Sequence, residues 1–249
     1  MTKKHALIGS TFALTFGLAM SLFLSIDKTP DDDFANHLKP ELQAMKDLIT
    51  TAVPASLGQA ITAIGFAFLN SFIIDYGVDT YSAFSVGNRI RSLFLMPVMA
   101  IGGIMASYIG QNIGNLNPER AKKAFYQGTI MSVVIMAFGS VIGIVIRRQM
   151  AGLFLEADPE ALNLSVQYML FLFMGLPLMA IFQSYIGLYN GSGKTMYTLA
   201  IGVTRLWGLR IPLILIFKNF TDLGSSGIWY AMLLSNFGIA IIGFFFMKQ

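Results

Sequence analysis

Residues 80–112 read TYSAFSVGNRIRSLFLMPVMAIGGIMASYIGQN, an apolar run that contains no acidic residue. A helix needs about 20 apolar residues to cross the hydrocarbon core of a bilayer, so this run is longer than one straight crossing requires. Pro97 and the pair Gly102 and Gly103 lie near its middle. Because a proline inside a helix frees backbone groups that must be satisfied within the protein, the run predicts one kinked or broken membrane helix.

The rest of the chain has the same apolar character. Its 249 residues are 55% hydrophobic and 12% charged, whereas soluble domains average about 25% charged. Further runs long enough to span a membrane lie near 6–25, 49–74, 126–146, 163–188, 196–217 and 226–247. We therefore predict an all-α fold, a polytopic bundle of about seven transmembrane helices in a lipid bilayer.

The first apolar run has the outline of a signal peptide, because Lys3 and Lys4 precede it. It is longer than the usual signal-peptide core and no small-residue cleavage site follows it, so a membrane span is the better interpretation. A long segment with two prolines and three consecutive aspartates joins it to the next span. We predict a single membrane helix at 1–26, a cytoplasmic linker at 27–47 and a six-helix lobe at 48–249.

Several classes of function lack support in the sequence. There is no cysteine, and His5 and His37 lie outside the predicted bundle, so no metal site or general base is predicted. The net charge of +4 is scattered over short segments, which argues against nucleic acid as a partner. The stretch NGSGKT at 190–195 has Leu188 where a phosphate-binding loop needs glycine, and predicts a tight turn. We predict neither an enzyme nor a cofactor.

Two neighbouring spans carry polar residues at helical spacing. At ~100° per residue, these residues gather on one side of each helix, with Thr62 further round. Such groups also serve simply to hydrogen-bond membrane helices together. The alignment of two stripes favours a water-filled cavity. The stripes consist of Ser56, Gln59, Thr62 and Asn70, and of Ser85, Asn88, Arg89, Ser92, Ser107, Gln111 and Asn112.

Arginines inside the spans are costly unless they are paired or face water. Arg89 lies well inside its helix and is predicted to face the cavity, to snorkel, or to pair with Asp75 or Asp79. Arg91 is predicted to point the other way. Arg210, close to Trp207, is either an interfacial anchor or a cavity residue. The candidate cavity residues are Gln59, Thr62, Asn70, Asn88, Arg89, Gln111, Gln183 and Arg210.

Every acidic residue lies in a loop or at the end of a span. A proton or sodium coupling site usually needs a carboxylate inside the membrane, because a buried carboxyl can exchange its proton for a cation. The chain therefore lacks an obvious coupling residue. The distribution of Lys and Arg modestly favours a cytoplasmic position for the segment 26–46.

Some of these stretches resemble the multidrug and toxic compound extrusion (MATE) family. The segments AFSVGNRIRSLFLMP at 83–97 and IGQNIGN at 109–115, followed by NPERA at 117–121, are similar to the eighth helix and the following loop of that family. NGSGKT at 190–195, WGLRIP at 207–212 and GSSGIW at 224–229 are similar to later turns and helices. The resemblance extends over about 48–247, and 6–25 is placed like the family's sixth helix.

The resemblance implies a transporter of two six-helix lobes around a central cavity, of which this chain would supply the carboxy-terminal lobe and one preceding helix. It implies export of cationic amphipathic compounds, drugs and other xenobiotics, in antiport with protons or sodium ions across a bacterial plasma (inner) membrane. Gln59 and Thr62 stand where some members carry a coupling carboxylate. The coupling site would then lie in an amino-terminal lobe outside this chain.

Two alternatives stay open. One is a lipid-linked oligosaccharide flippase of the same superfamily, which should carry more basic residues along its cavity. The other is a truncated, inactive lobe that needs a partner, either an amino-terminal lobe or a second copy.

Overall fold

The computed structural model describes residues 42–155 and 158–246, and the described part is helical without a β-strand. The predicted span at 6–25 and the linker up to residue 41 lie outside the described residues. The helices are α1 (Leu42–Ile74), α2 (Val78–Gly114), α3 (Pro118–Leu155), α4 (Pro159–Gly191), α5 (Thr195–Val203), a π-helical segment (Thr204–Arg210), α6 (Ile211–Phe220) and α7 (Ser226–Phe246).

Six helical stretches of the described chain are long and apolar enough to cross a membrane. They are the six spans that the sequence predicts after residue 48, with α5, the π-helical segment and α6 joined into one crossing. The predicted third span is the continuous helix α2, which contains Pro97 without interruption. The alternative of a broken helix at this proline is therefore wrong.

Two helices begin with the same local signal, a short polar residue followed by proline and glutamate. The Asp158 carboxylate accepts a hydrogen bond from the backbone N–H of Ala161 at 3.0 Å, and Asn117 Oδ1 accepts from the backbone N–H of Arg120 at 3.1 Å. These side chains satisfy N–H groups that the first helical turn leaves free, and proline at the first helical position has no N–H to satisfy. The sequence itself thus fixes where α3 and α4 start.

The turn at 190–195 has the geometry of a helix end and not of a phosphate-binding loop. The N–H of Lys194 donates to Tyr189 O at 2.9 Å, and that of Gly193 donates to Asn190 O at 3.2 Å. Gly193 has a φ of +72°, the left-handed conformation that glycine adopts at no steric cost. The predicted tight turn is confirmed, and α5 follows directly.

α4 is the central helix of the bundle and packs against α2, α3 and α7. α3 lies at the periphery, where one side of the helix carries a stripe of exposed apolar side chains. A helix side of this kind is stable only against lipid or another apolar surface. The stripe consists of Ile130, Val134, Phe138, Val141 and Val145.

α2 and α4 cross at small residues spaced four apart. Gly102, Ala106 and Gly110 of α2 meet Gly187 and Gly191 of α4 so closely that a Cβ added to Gly191 would lie 2.9 Å from Ala106 Cα and nearer still to its carbonyl oxygen. Small residues at this spacing allow two membrane helices to approach at backbone distance. This crossing fixes the position of α2 against the centre of the bundle.

Candidate functional site

An open cavity of about 250 Å³ lies between α1 and α2. Its polar lining comes from Asn70 of α1 and from Ser85, Asn88 and Arg91 of α2, and the remaining lining residues are aromatic: Phe66, Tyr81 and Phe84. With a rise of 1.5 Å per residue, Arg91 lies ~20 Å along α2 from its first residue. The cavity thus extends from the α1–α2 turn deep into the membrane-spanning part of the bundle.

The structure brings together some of the predicted cavity residues. Asn70 and Asn88 line the cavity, together with Ser85 of the predicted stripe. Thr62 does not line it: its hydroxyl donates to Gly58 O of the same helix at 2.7 Å. The side chain of Gln59 lies outside the described part of the structure.

Of the alternatives for Arg89, neither a place in the cavity wall nor an ion pair with Asp75 or Asp79 is found in the described structure, and the direction predicted for Arg91 is wrong. Arg89 is exposed and its guanidinium lies 5.8 Å from the centre of the Phe154 ring of α3, away from the cavity. Arg91, which was expected to point away, lines the cavity. Three residues after Asn88 is almost one helical turn, so Arg91 lies on the same side as Asn88, whereas Arg89 is rotated by ~100°.

Two further predicted residues lie away from the cavity. Gln111 is exposed near the opposite end of α2, twenty residues beyond Arg91, which corresponds to ~30 Å along the helix. Gln183 is half-buried on α4, and its backbone carbonyl oxygen faces Gly102 at the α2–α4 crossing. Neither residue lines the cavity described above.

Arg210 is buried inside the bundle, with 2% of its surface exposed. Its Nε donates to Ser235 Oγ and its Nη2 donates to Asn236 Oδ1, each at 3.0 Å. A fully enclosed guanidinium bonded to α7 is not an interfacial anchor, so that alternative is wrong. Arg210 instead lines a second cavity of about 20 Å³, room for about one water molecule.

Tyr168 of α4 lines the small cavity and contacts Asn88, which lines the large one. Its hydroxyl donates to Asn88 Oδ1 at 3.2 Å, and its ring packs on Trp229 with 4.3 Å between ring centres. Tyr168 and Arg91 both line the small cavity, and Arg91 also lines the large one. Arg91 is therefore the residue that the walls of the two cavities share, and Arg210 lies in the wall of the small one.

The π-helical segment places a further arginine in the interior. Arg205 is 6% exposed; its Nη1 lies 3.0 Å from Met179 Sδ and its guanidinium lies 4.0 Å from the centre of the Phe182 ring. In an α-helix, residues five apart differ by ~140° in direction. Since π-helical hydrogen bonds join residues five apart, this segment brings Arg205 and Arg210 closer to one side, and both are buried.

The interior arginines have neutral partners in the described part of the chain. The one salt bridge found there joins Lys218 and Asp75 at exposed helix ends, 2.8 Å apart. Nor do the described residues contain a group of acidic or histidine side chains that could hold a metal ion. Sequence reasoning missed Arg91, and the signal available was its spacing of three and six residues from Asn88 and Ser85.

Six helical stretches of the described chain are long and apolar enough to cross a membrane, and an open, partly polar cavity lies between the first two of them, which defines a multi-pass membrane protein. The sequence profile of the MatE family matches residues 54–216. The chain belongs to the MatE family, whose members are transporters and not enzymes.

The chain spans about half the length of the relatives that it matches. It is 24% identical over 228 residues to the probable multidrug resistance protein YoeA of Bacillus subtilis, covering 90% of this chain and 49% of YoeA. It is 25% identical to a FAD transporter of Shewanella oneidensis, covering 99% of this chain and 54% of that one. An outward-facing multidrug resistance MATE transporter superposes with a TM-score of 0.84 at 23% identity, over 98% of this chain and 54% of that one.

Proposed function

We propose that this chain is the carboxy-terminal lobe of an efflux transporter, and that the α1–α2 cavity is its part of the substrate path. The observation that supports this most is the cavity itself, where two amides, a hydroxyl and a guanidinium group lie together between membrane-spanning helices. Such groups are costly against lipid and are accommodated where they face water or a ligand. The aromatic lining suits the apolar part of an amphipathic organic compound.

The second half of the path comes from another lobe. We propose either an amino-terminal lobe or a second copy of this chain, in the bacterial plasma membrane, because the matched relatives are about twice as long. Transporters of this design place the substrate near the middle of the membrane, between two lobes that rock against each other. A cavity that is open on one side, as here, suits such an arrangement.

Export would be driven by antiport with protons or sodium ions. The residues lining both cavities include no carboxylate. The coupling cation is therefore proposed to bind outside these cavities, in the other lobe. The resemblance to the family predicts a cationic substrate, while the relatives' names cover both multidrug resistance and FAD transport, so substrate charge must be argued from the cavity of this chain.

Cysteine labelling tests whether the cavity is a water-filled path. Because the chain has no cysteine, Ser85→Cys introduces a single thiol in the cavity wall. We expect a membrane-impermeant thiol reagent to label it from the outer side, where the charge distribution places the α1–α2 turn. The matched control is Val141→Cys on the apolar side of α3, which is 63% exposed in the bundle but would face lipid, and should stay unlabelled.

Dye efflux tests the transport role directly. Cells that lack their own exporters and express the chain, at a membrane level checked by immunoblot, should retain less ethidium or less fluorescein than cells without it. Asn88→Leu should restore dye retention, because it removes a polar group from the path. Retention of both dyes together with an unreactive Ser85→Cys would rule out this function, and an envelope defect without any change in dye retention would favour a flippase.

A further inference from the structure

We propose that the α1–α2 cavity binds the negatively charged group of an amphipathic organic anion, a carboxylate, sulfonate or phosphate, and that Arg91 is the residue that pairs with it. This inference rests on the proposed function, because it assigns a substrate class to the same cavity. It departs from the cationic substrate that the family resemblance predicts.

Arg91 lacks a counter-charge in the described part of the chain. Its Nε is shielded from solvent and has no hydrogen-bond partner, and Arg91 takes part in no salt bridge in the described part of the chain. A guanidinium in the wall of a water-filled membrane cavity stays charged, and no acidic side chain in the described part of the chain neutralises Arg91. An anionic ligand supplies that partner, because the planar guanidinium fork matches the oxygen atoms of carboxylates and phosphates.

The other polar groups of the cavity can donate hydrogen bonds and carry no negative charge. Asn70, Ser85 and Asn88 are neutral, and none of the residues lining the cavity is acidic. The Tyr168 hydroxyl donates to Asn88 Oδ1 at 3.2 Å, which commits the acceptor end of that amide and leaves its NH₂ group as a donor for a ligand. The site is therefore rich in donors, as recognition of an anion requires.

Two buried arginines, Arg210 and Arg205, place positive charge behind the cavity wall. Arg210 lines the small cavity that Arg91 also lines, and its donors are given to the neutral side chains of Ser235 and Asn236. Arg205 likewise lies against Met179. Because these partners carry no negative charge, the positive field of the arginines is not cancelled and extends into the cavity. The same field repels a cationic ligand.

A pair of dyes with the same ring system and opposite charge tests the inference. The purified full chain in lipid nanodiscs is titrated with fluorescein, an anion, and with rhodamine 123, a cation, and fluorescence polarisation gives each Kd after subtraction of empty nanodiscs. We expect fluorescein to bind at least about tenfold more tightly than rhodamine 123, a difference of about 1.4 kcal/mol.

Two variants two residues apart on α2 provide the comparison. Arg91→Gln should weaken fluorescein binding about tenfold or more and leave rhodamine 123 binding unchanged or tighter. Arg89→Gln removes the same charge outside the cavity and should bind both dyes as the unmodified chain does. Tighter binding of rhodamine 123 than of fluorescein by the unmodified chain, binding of neither dye, or equal fluorescein binding by both variants would overturn the inference.

A second measurement does not depend on how Arg91→Gln folds. In Ser85→Cys, the labelling rates of an anionic and a cationic methanethiosulfonate reagent are compared with their rates on a small free thiol. We expect the labelling rate of the anionic reagent, relative to its rate on the free thiol, to exceed that of the cationic reagent by about tenfold. A reactive thiol without this preference overturns only the anion assignment, whereas a thiol unreactive towards both reagents removes the proposed path itself.

Discussion

Gly191→Ala tests the close crossing of α2 and α4. The added Cβ would lie 2.9 Å from Ala106 Cα and 3.0 Å from its carbonyl carbon, both backbone atoms that cannot rotate away. Ordinary contact begins at about 3.4 Å, so the helices must separate by at least about half an ångström locally. Overpacking of this kind typically costs ~1–3 kcal/mol, and the better helix propensity of alanine returns at most ~1 kcal/mol.

The expected net result is a loss of ~1–2 kcal/mol, which corresponds to a decrease in Tm of ~2–8 °C for a chain of this size. The assay is thermal unfolding of the purified chain in nanodiscs, followed by tryptophan fluorescence. Gly103→Ala is the matched control, because a Cβ at Gly103 of α2 meets no atom within 4 Å. The reasoning is refuted if Gly191→Ala melts at or above the temperature of Gly103→Ala.

Three further predictions concern contacts away from this crossing. A double-mutant cycle on Asp75 and Lys218 should give a coupling below ~1 kcal/mol that decreases with salt, because both side chains are partly exposed; a salt-independent coupling would contradict this. Tyr168→Phe should destabilise the chain by ~1 kcal/mol in thermal unfolding through loss of the hydrogen bond to Asn88, and an unchanged Tm would show that this bond contributes nothing. Gly143→Ala places a Cβ against an aromatic ring of α4 and should lower the Tm, unless that ring rotates aside, in which case the Tm stays constant.

The residues that line the cavities also show how the charge of a substrate site depends on more than one helix. A carboxylate in a substrate path favours cationic substrates, whereas the absence of a carboxylate does not by itself indicate the charge of the substrate. Here the same face of α2 that lacks a carboxylate carries Arg91, and α4 and α7 hold no acid against Arg210. The charge beside the two cavities thus comes from several helices together, which a motif within one helix does not show.

Local signals in the sequence set the six described spans and some of their ends. Runs of apolar residues set the spans because lipid offers no hydrogen bonds, and an unpaired backbone group costs several kcal/mol there. The turn at Gly193 and the starts of α3 and α4 follow from residues within a few positions of each other. The spacing of polar residues along α1 and along α2 likewise predicted a polar face on each helix. Asn70 of the first face and Asn88 of the second line the cavity.

Which part of each polar face lines the cavity depends on the tertiary structure. Helical periodicity fixes the angle between two side chains of one helix, but not the direction of that helix towards its neighbours. Because each residue of a helix is rotated by ~100° from the one before it, Arg89 and Arg91 point in different directions. Arg89 is exposed beside α3, whereas Arg91 lines the cavity. The rotation of α2 is set by its close contact with α4 at Gly187 and Gly191, and the burial of Arg205 together with Arg210 depends on a π-helical segment. Both features arise from packing between distant parts of the chain, which is why residue spacing alone did not reveal them.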